Sequence, residues 1–262
     1  MRNYGVICDC PQIERVFSLM VDIHNHGLFD VDDGAGTLRE AVRMLREAKQ
    51  QGVHAVVLTP HYRHGMFKYR REIIEAQFAD LKEEAEQMGM DVYLGCEYHV
   101  NSRILEYLES GRCLPMAGGS FVLTEYAYET PYSYILNWTN ELLHHGYIPI
   151  IAHVERYESI FLYPDRVKEL IRMGAYIQLN ADSVIGKHGM KVKRFCKQML
   201  QENKRAVMVA SDAHDLEKRR SHMGECYDFI LRKHGERTAE LVMRENPALV
   251  IENVASEQIQ EY

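Results

Sequence analysis

The feature that most constrains the fold of this chain is a repeated alternation between short apolar runs and longer amphipathic segments. Short runs rich in Val, Ile, Leu and Phe predict strands, and the segments between them have the 3.6-residue periodicity of helices. We predict strands at 21–26, 55–58, 92–97, 121–125, 148–153, 176–180 and 206–212. We predict helices at 37–50, 69–88, 135–145, 165–173, 191–202 and 223–233, with a further short helix after 238.

This alternation predicts a mostly parallel sheet, and about seven strand–helix units within 262 residues predict one barrel closed by helices. A doubly wound open sheet is the main alternative. No phosphate-binding G-x-G-x-x-G or Walker loop follows the first strand, which weakens that alternative for nucleotide binding. We therefore expect a single domain over 20–262. Residues 1–19 precede Met20 and the first strand, and we expect them to be either an extension outside the fold or the product of an upstream start.

Composition excludes several classes of partner. The formal net charge of −7 argues against a general affinity for nucleic acid or for an anionic membrane. No run of about 18 apolar residues is present, so membrane insertion is not expected. The six cysteines show no C-x-x-C spacing, which in a chain of this length is typical of reduced thiols in a cytoplasmic protein.

Side chains of the metal-ligand type recur where the predicted strands end. They are His24, His26, His61, Glu97, Glu125, His153, Asp212 and His214. Residues two apart in a strand point to the same side, so His24 and His26 are expected to converge. Barrel enzymes carry their reactive groups at this rim, and clustered carboxylates and imidazoles repel or lie unpaired without a cation. The pattern predicts a metal cluster there.

The number and type of these candidates indicate the kind of metal site. With a carboxylate from the run Asp30, Asp32 and Asp33, nine candidates exceed what one tetrahedral zinc ion uses. We therefore expect two or three ions. Mixed nitrogen and oxygen ligands suit Mn²⁺, Fe²⁺ or Zn²⁺, and the share of hard ligands favours Mn²⁺. A calcium loop is rejected, because Ala41 stands where an EF-hand needs its bidentate Glu.

Taken in order, these motifs resemble the polymerase-and-histidinol-phosphatase (PHP) superfamily. The motifs are H-x-H at 24–26, D-D-G at 32–34, T-P-H at 59–61, G-x-E at 95–97, L-T-E at 123–125, A-H-x-E-R at 152–156 and S-D-A-H at 211–214. Within it, the chain is similar to the bacterial manganese-dependent protein tyrosine phosphatases of capsular and exopolysaccharide gene clusters. The resemblance covers about 20–254. It implies a distorted (βα)7 TIM-like barrel of the PHP type.

The resemblance also implies roles for individual residues. His24, His26, Glu97 and Asp212 would hold a first ion, and Glu97 would bridge to a second ion held by Glu125 and His153. Asp33, His61 and His214 would hold a third, with Asp30 and Asp32 as alternatives to Asp33 or as supporting partners. Arg156 and Arg219 would clamp phosphate oxygens. Here the family often has R-P-P after S-D-A-H, and this chain has Arg219-Arg220-Ser221 instead.

The implied reaction is metal-dependent hydrolysis of a phosphomonoester on a phosphotyrosine protein, namely a bacterial tyrosine kinase of polysaccharide export. The alternatives are a small-molecule phosphatase of the histidinol-phosphate type and a non-catalytic docking regulator. A nuclease is disfavoured by the net charge. The C-x5-R match at 226–232 is rejected as a cysteine phosphatase loop, because it lacks glycine and has the pattern of an amphipathic helix.

Overall fold

The fold is an α/β barrel with parallel strands, seen in a computed structural model that describes residues 19–63, 65–67 and 69–252. Most of the predicted extension 1–19 lies outside the described residues, so it stays a prediction. The strands are β1 (Met20–Asn25), β2 (Val53–Leu58), β3 (His61–Tyr62), β4 (Asp91–Leu94), β5 (Glu97–His99), β6 (Phe121–Glu125), β7 (Ile148–Ile151), β8 (Tyr176–Asn180) and β9 (Val207–Ala210).

Two of the barrel strands are interrupted halfway. Pro60 separates β2 from β3 and has no N–H to donate to a ladder, while Gly95 and Cys96 separate β4 from β5. Hydrogen bonds from Gly95 N to Leu58 O (2.8 Å) and from Glu97 N to Pro60 O (3.2 Å) bridge the gap. The nine described strands therefore occupy seven positions, as the predicted (βα)7 barrel requires. The single strand predicted at 92–97 is wrong in its continuity and in its end.

The strands form two parallel sheets that join into one barrel. Their orders are β1-β2-β4 and β3-β5-β6-β7-β8-β9. The last strand returns to the first, since Asp212 N donates to His24 O and His26 N donates to Ala213 O, each at 2.9 Å. Below these bonds, Ser211 Oγ donates to the buried carboxylate of Asp22 at 2.6 Å. This seam closes the barrel and rules out the open doubly wound sheet.

Helices follow most strands and cover the outside of the barrel. They are α1 (Leu38–Gln50), α2 (Arg71–Gln87), α3 (Ile104–Glu109), α4 (Tyr132–His144), α5 (Glu158–Phe161), α6 (Asp165–Met173), α7 (Ala181–Ile185), α8 (Met190–Glu202), α9 (Met223–His234) and α10 (Glu236–Glu240), followed by a π-helical turn (Leu241–Glu245). Short 3-10 turns lie at Met116–Gly118, Val154–Arg156 and Lys204–Ala206. In the described part of the chain, no helix is both long and apolar enough to cross a membrane.

Two apolar cores hold these layers together. The inner core fills the barrel with alternate strand residues such as Val21, Ile23, Leu123 and Met208. The outer core lies between strands and helices and includes Cys96, which points away from Glu97 as predicted. Cys226 is fully buried within α9, so the C-x5-R match is a helix and not a phosphate loop.

Candidate metal centre

All the predicted ligands lie at the carboxyl ends of the strands, at one rim of the barrel. Some lie within strands and the others follow strand ends: His24 in β1, His26 after it, His61 in β3, Glu97 in β5, Glu125 in β6, His153 after β7, and Asp212 with His214 after β9. Most are buried, whereas Glu125 is partly buried and the side chain of Asp33 is half-exposed. Parallel strands bring their carboxyl ends to the same edge, which is why His24 and Asp212 meet although they are 188 positions apart.

Two breaks in the strand alternation aim some of these side chains. Val21 and Ile23 already face the barrel interior, so strict alternation would turn His24 and His26 outward. A register shift between Asp22 and Asn25 changes the phase of β1. Such irregularities re-aim side chains near active sites. His153 does the same at the end of β7 by adopting a left-handed backbone, with φ of 31°.

Glu97 is the centre of the cluster. Its Oε2 lies 3.3 Å from His24 Nε2, 3.3 Å from His26 Nε2 and 2.9 Å from His61 Nδ1. Its Oε1 lies 2.8 Å from His153 Nε2. Four imidazoles from three different barrel strands therefore surround one buried carboxylate.

Two pairs of atoms that face this centre are within hydrogen-bond geometry, His24 Nε2 with His26 Nε2 and His153 Nε2 with Glu97 Oε1, but others have no partner. Among the described residues, Glu97 Oε2, His61 Nδ1 and His214 Nε2 are buried without a hydrogen-bond partner. The 2.9 Å approach of Glu97 Oε2 to His61 Nδ1 is close enough for a hydrogen bond but is not aligned for one. Lone pairs that converge without an aligned proton are the geometry that a shared cation satisfies. The donor set therefore fits a metal ion.

Among the described residues, three groups of side chains have ligand atoms within 4.8 Å of one another. The first is His24, His26 and Glu97; the second is His26, Asp33, His61 and His214; the third is His61, Glu97 and Glu125. Asp212 lies outside these groups but adjoins the first, with Oδ1 3.4 Å from His24 Nε2. The grouping differs from the predicted one in two ways: His26 and His61 each take part in two groups, and His61, not His153, is grouped with Glu97 and Glu125.

The acidic run after β1 is held close to the centre by Gly34. A Cβ at this position would collide with the carbonyl oxygen of His26, so only glycine allows the loop to pass. Asp32 Oδ2 then lies 2.8 Å from His26 Nδ1 and accepts from His61 N at 2.9 Å. Asp33 Oδ1 instead lies 3.4 Å from both His61 Nε2 and His214 Nε2. Asp30 is exposed and makes none of these contacts.

The imidazoles are oriented through the ring nitrogen that faces away from the centre. Nδ1 of His24 meets Gln178 Oε1 at 3.1 Å, and Nδ1 of His26 meets Asp32. Nδ1 of His214 meets the Asp212 carbonyl at 2.9 Å. Nδ1 of His153 lies 3.4 Å from the hydroxyl of Tyr157. Fixing one ring nitrogen sets the tautomer and presents the other nitrogen as a ligand.

Both predicted arginines converge on Asp212. Arg156 Nη2 lies 2.9 Å from Asp212 Oδ2, and Arg219 Nη2 lies 3.2 Å from Asp212 Oδ1. The loop that carries Arg219 is shaped by Asp215, whose Oδ1 accepts from the backbone N–H of Glu217, Lys218 and Arg219. This Asx-type turn sets the position of Arg219. The two guanidinium groups thus lie at the edge of the cluster.

The charges of the cluster are strongly coupled. Burial favours neutral Asp212, but His24 and Arg156 outweigh it and hold the pKa of Asp212 well below its usual range. Burial likewise opposes ionisation of Glu97, and the imidazole of His24 together with the other rings holds its pKa well below normal. Both carboxylates are therefore ionised at neutral pH, as cation binding requires.

A cavity of about 500 Å³ opens beside the cluster. Glu125, His153 and Arg156 line it. The remaining lining is part apolar or aromatic (Tyr126, Ala127, Tyr128, Tyr157 and Val192) and part polar (Arg63, His99, Glu155, Ser183 and His188). An aromatic ring fits the apolar part of this lining while a phosphate attached to it reaches the arginine and the cluster.

Several residues that support the centre were not predicted from the sequence, namely Gln178 and Asn180 in β8, Tyr157 and Asp215. His99 differs from these, because its position two residues after Glu97 already places both side chains on one strand face. Its Nδ1 lies 3.0 Å from Glu125 Oε2. A signal for the β8 pair was present, since polar residues two apart follow an apolar run there as they do in β1.

Comparison with known proteins adds information of a different kind. The family described as "Capsular polysaccharide synthesis, CpsB/CapC" matches residues 20–252. The tyrosine-protein phosphatase CpsB of Streptococcus agalactiae serotype III is 36% identical over 241 residues, which cover 89% of this chain and 99% of that protein.

Solved structures agree with the fold. One comes from work on YwqE from Bacillus subtilis and CpsB from Streptococcus pneumoniae, described as unique metal-dependent tyrosine phosphatases. It superposes with a TM-score of 0.82 at 28% identity, covering 89% of this chain and 95% of that one. The phosphotriesterase homology protein from Escherichia coli superposes with a TM-score of 0.59 at 14% identity over 88% and 97% of the two chains, which shows likeness of fold alone.

Proposed function

The chain belongs to the CpsB/CapC family of capsular polysaccharide synthesis, and on that premise we propose that it is a metal-dependent protein tyrosine phosphatase. The observation that carries this proposal is the Glu97 centre. One ionised carboxylate, four surrounding imidazoles and three buried atoms without hydrogen bonds form a site that fits cations. The arginines beside it suit phosphate, because guanidinium donates to two oxygens at once.

The ligands that we assign are the nine predicted ones. His24, His26, Glu97 and Asp212 hold one ion, Glu125 and His153 with Glu97 hold a second, and Asp33, His61 and His214 hold a third. Asp33 is assigned rather than Asp32, because Asp32 already accepts hydrogen bonds from His61 N and Gly34 N and faces His26 Nδ1. The ions are two or three Mn²⁺, with Fe²⁺ or Zn²⁺ as alternatives.

Bound divalent ions lower the pKa of water and offset charge on phosphate oxygens. The residues of the chain bind and orient the substrate and exclude water. Arg156 and Arg219 exchange their contacts with Asp212 for the phosphate oxygens and orient the ester. The walls that include Tyr126 and Tyr128 exclude water from the aromatic leaving group. A phenol has a pKa of about 10, so a strong proton donor is not essential.

The substrate that we propose is phosphotyrosine on a bacterial tyrosine kinase that controls capsule or exopolysaccharide synthesis. Support comes from the family description, from the name of the CpsB relative and from the aromatic walls of the cavity. The alternative, a small-molecule phosphatase of the histidinol-phosphate type, is tested by including histidinol phosphate among the substrates.

The test measures phosphate release by the purified full chain after chelator treatment, with and without added Mn²⁺. We expect hydrolysis of a phosphotyrosine peptide that depends on Mn²⁺, and little or none of a phosphoserine peptide or histidinol phosphate. His153→Ala removes a direct ligand and should lower kcat/KM by about 100-fold or more, since even outer partners of metal ligands contribute 10- to 100-fold.

Cys226→Ala serves as the matched control, because a cysteine mechanism would lose all activity. We expect it to keep the wild-type rate, since the thiol is buried in α9 and burial raises its pKa. Hydrolysis of histidinol phosphate in preference to the phosphotyrosine peptide, or full turnover by His153→Ala, would overturn the proposal.

A further inference from the structure

Strand β8 is the one barrel strand whose end carries no proposed metal ligand, yet it sends two carboxamides into the centre. Gln178 and Asn180 are two residues apart, so both face the barrel interior. Their exposed fractions are 0% and 1%. Loss of a hydrogen bond is costly for a buried amide. The hydrogen-bond partners of Gln178 and Asn180 therefore show which groups these amides hold in place.

The direction of each hydrogen bond follows from one backbone donor. His153 N–H can only donate, and it donates to Gln178 Oε1 at 2.7 Å. Gln178 Nε2 must then be the amide donor, and it donates to Asn180 Oδ1 at 2.7 Å. Asn180 Nδ2 consequently donates to Asp212 Oδ2 at 2.8 Å. The amide orientations are thus set by the main chain.

This direction also determines the tautomer of His24. Gln178 Oε1, which is an acceptor, lies 3.1 Å from His24 Nδ1. His24 Nδ1 must therefore carry a proton and donate it. Nε2 of a neutral His24 is then left with its lone pair, and that nitrogen faces Glu97 and Asp212.

The Asn180 end of this series of hydrogen bonds is also held in place. Asn180 N donates to Glu155 Oε1 at 3.0 Å, and Glu155 is buried beside the cavity. The hydrogen bonds from His153 N through Gln178 and Asn180 to Asp212 form a relay. His153 and Asp212, the two ligand residues at its ends, both have left-handed backbones, with φ of 31° and 53°. Such a conformation is unfavourable for residues other than glycine and persists where surrounding contacts enforce it.

We propose that Gln178 and Asn180 are positioning residues that fix the tautomer of His24, the strained turn at His153 and the carboxylate of Asp212 in a single relay. The inference rests on the proposed function only in taking these three residues as metal ligands. Neither amide touches the substrate. Their role is to hold three ligands, from three different barrel strands, in the geometry that binds a cation.

The test measures Mn²⁺ affinity by titration calorimetry and by electron paramagnetic resonance of the free ion, on the full chain. Gln178→Leu keeps the volume and removes both acceptor and donor, so we expect Mn²⁺ affinity to fall by about 10- to 100-fold. Gln178→Glu keeps acceptors for His24 Nδ1 and His153 N but loses the donor to Asn180 Oδ1. It should recover part of the lost affinity, which a purely space-filling role does not predict.

Asn246→Leu is the matched control. Asn246 is also a buried amide, in the helical segment after the π-helical turn, but it donates to the Lys204 and Val207 carbonyls, away from the centre. We expect this variant to lower the melting temperature without changing Mn²⁺ affinity. If Gln178→Leu behaves like Asn246→Leu, with a lower melting temperature and unchanged affinity, the relay is a packing feature and the inference is wrong.

A measurement on the wild-type chain keeps the inference testable if Gln178→Leu does not fold. In Zn²⁺-loaded protein, the imidazole ¹⁵N spectrum should place a slowly exchanging proton on Nδ1 of His24. A proton on Nε2 instead would overturn the inference. Failure of the proposed function would look different: Mn²⁺ affinity would depend on Gln178, but the loaded protein would hydrolyse no phosphotyrosine peptide.

Discussion

At the scale of single residues, neighbours in sequence take different positions. Asp32 and Asp33 are adjacent and both acidic, yet Asp32 faces the outer nitrogen of His26 while Asp33 lies between the ring nitrogens of His61 and His214. The sequence left these carboxylates as alternatives because their order alone does not set their direction. Gly34 lets the loop pass close to the His26 carbonyl. In that loop the two carboxylates point towards different histidines.

The pH dependence of stability tests the pairing of Asp32 with His26. Burial disfavours protonated His26, but the carboxylates of Asp32 and Glu97 outweigh burial and raise its pKa from 6.5 to about 10. The unfolded chain releases this proton near pH 6.5, whereas the folded metal-free chain retains it. The contribution of protonated His26 to the stability of the fold is therefore complete below pH 6.5 and declines as pH rises towards 10. We expect the melting temperature of metal-free protein to fall by several degrees between pH 6.5 and 9.

Asp32→Asn is the control, since it removes the charge that raises the pKa and should flatten this decline. Saturating Mn²⁺ should stabilise the wild-type chain more as pH rises over the same window, because metal binding competes with protons on the imidazoles. A metal-free melting temperature that rises with pH between 6.5 and 9 would contradict the pairing.

At the scale of elements, periodicity located the long helices well and their ends less well. Strand β8 and helix α6 coincide with the predictions, whereas α4 begins three residues before the predicted start. Helices α3, α5 and α7 were missed. They have four to six residues, too few for a periodic pattern to stand out.

The cap of α1 gives a test at this scale. Thr37 Oγ1 accepts from Glu40 N at 3.2 Å, while Glu40 Oε2 accepts from Gly36 N and not from Thr37 N, so only half of a capping box is formed. Thr37→Ala should lower stability by about 1 kcal/mol. For a chain of this size, that corresponds to about 2–4 °C in melting temperature.

Thr37→Ser retains the hydroxyl and should stay within experimental error of the wild type. Neither variant should change Mn²⁺ affinity, because the cap touches no assigned ligand. An equal loss in the two variants would show that the methyl group, and not the hydrogen bond, stabilises the start of α1.

At the scale of the whole molecule, closure of the barrel depends on a buried polar seam between β1 and β9. Asp22 Oδ2 accepts from Ser211 Oγ at 2.6 Å and from Asn25 Nδ2 at 3.1 Å. Burial raises the pKa of Asp22 despite these donors. The carboxyl group therefore depends on its partners, and losing one leaves a buried polar atom unsatisfied.

Ser211→Ala should accordingly lower the free energy of unfolding by about 1–3 kcal/mol in denaturant titrations. Exposed Ser133→Ala in α4 controls for the loss of a hydroxyl and should change it by less than about 0.5 kcal/mol. If the two variants unfold at the same denaturant concentration, the seam does not contribute to barrel closure.

By itself, the sequence determined the alternation of strands and helices, the seven-position barrel and the residue types at its rim. These properties are local, because periodicity and the residue types at the end of an apolar run depend only on a short stretch of neighbouring residues. The tertiary structure alone decided which atoms meet. The register shift in β1, the left-handed turn at His153 and the amides of β8 depend on strands that are distant in sequence. Alternation predicts which side chains share a face, but only packing between strands sets where that face points.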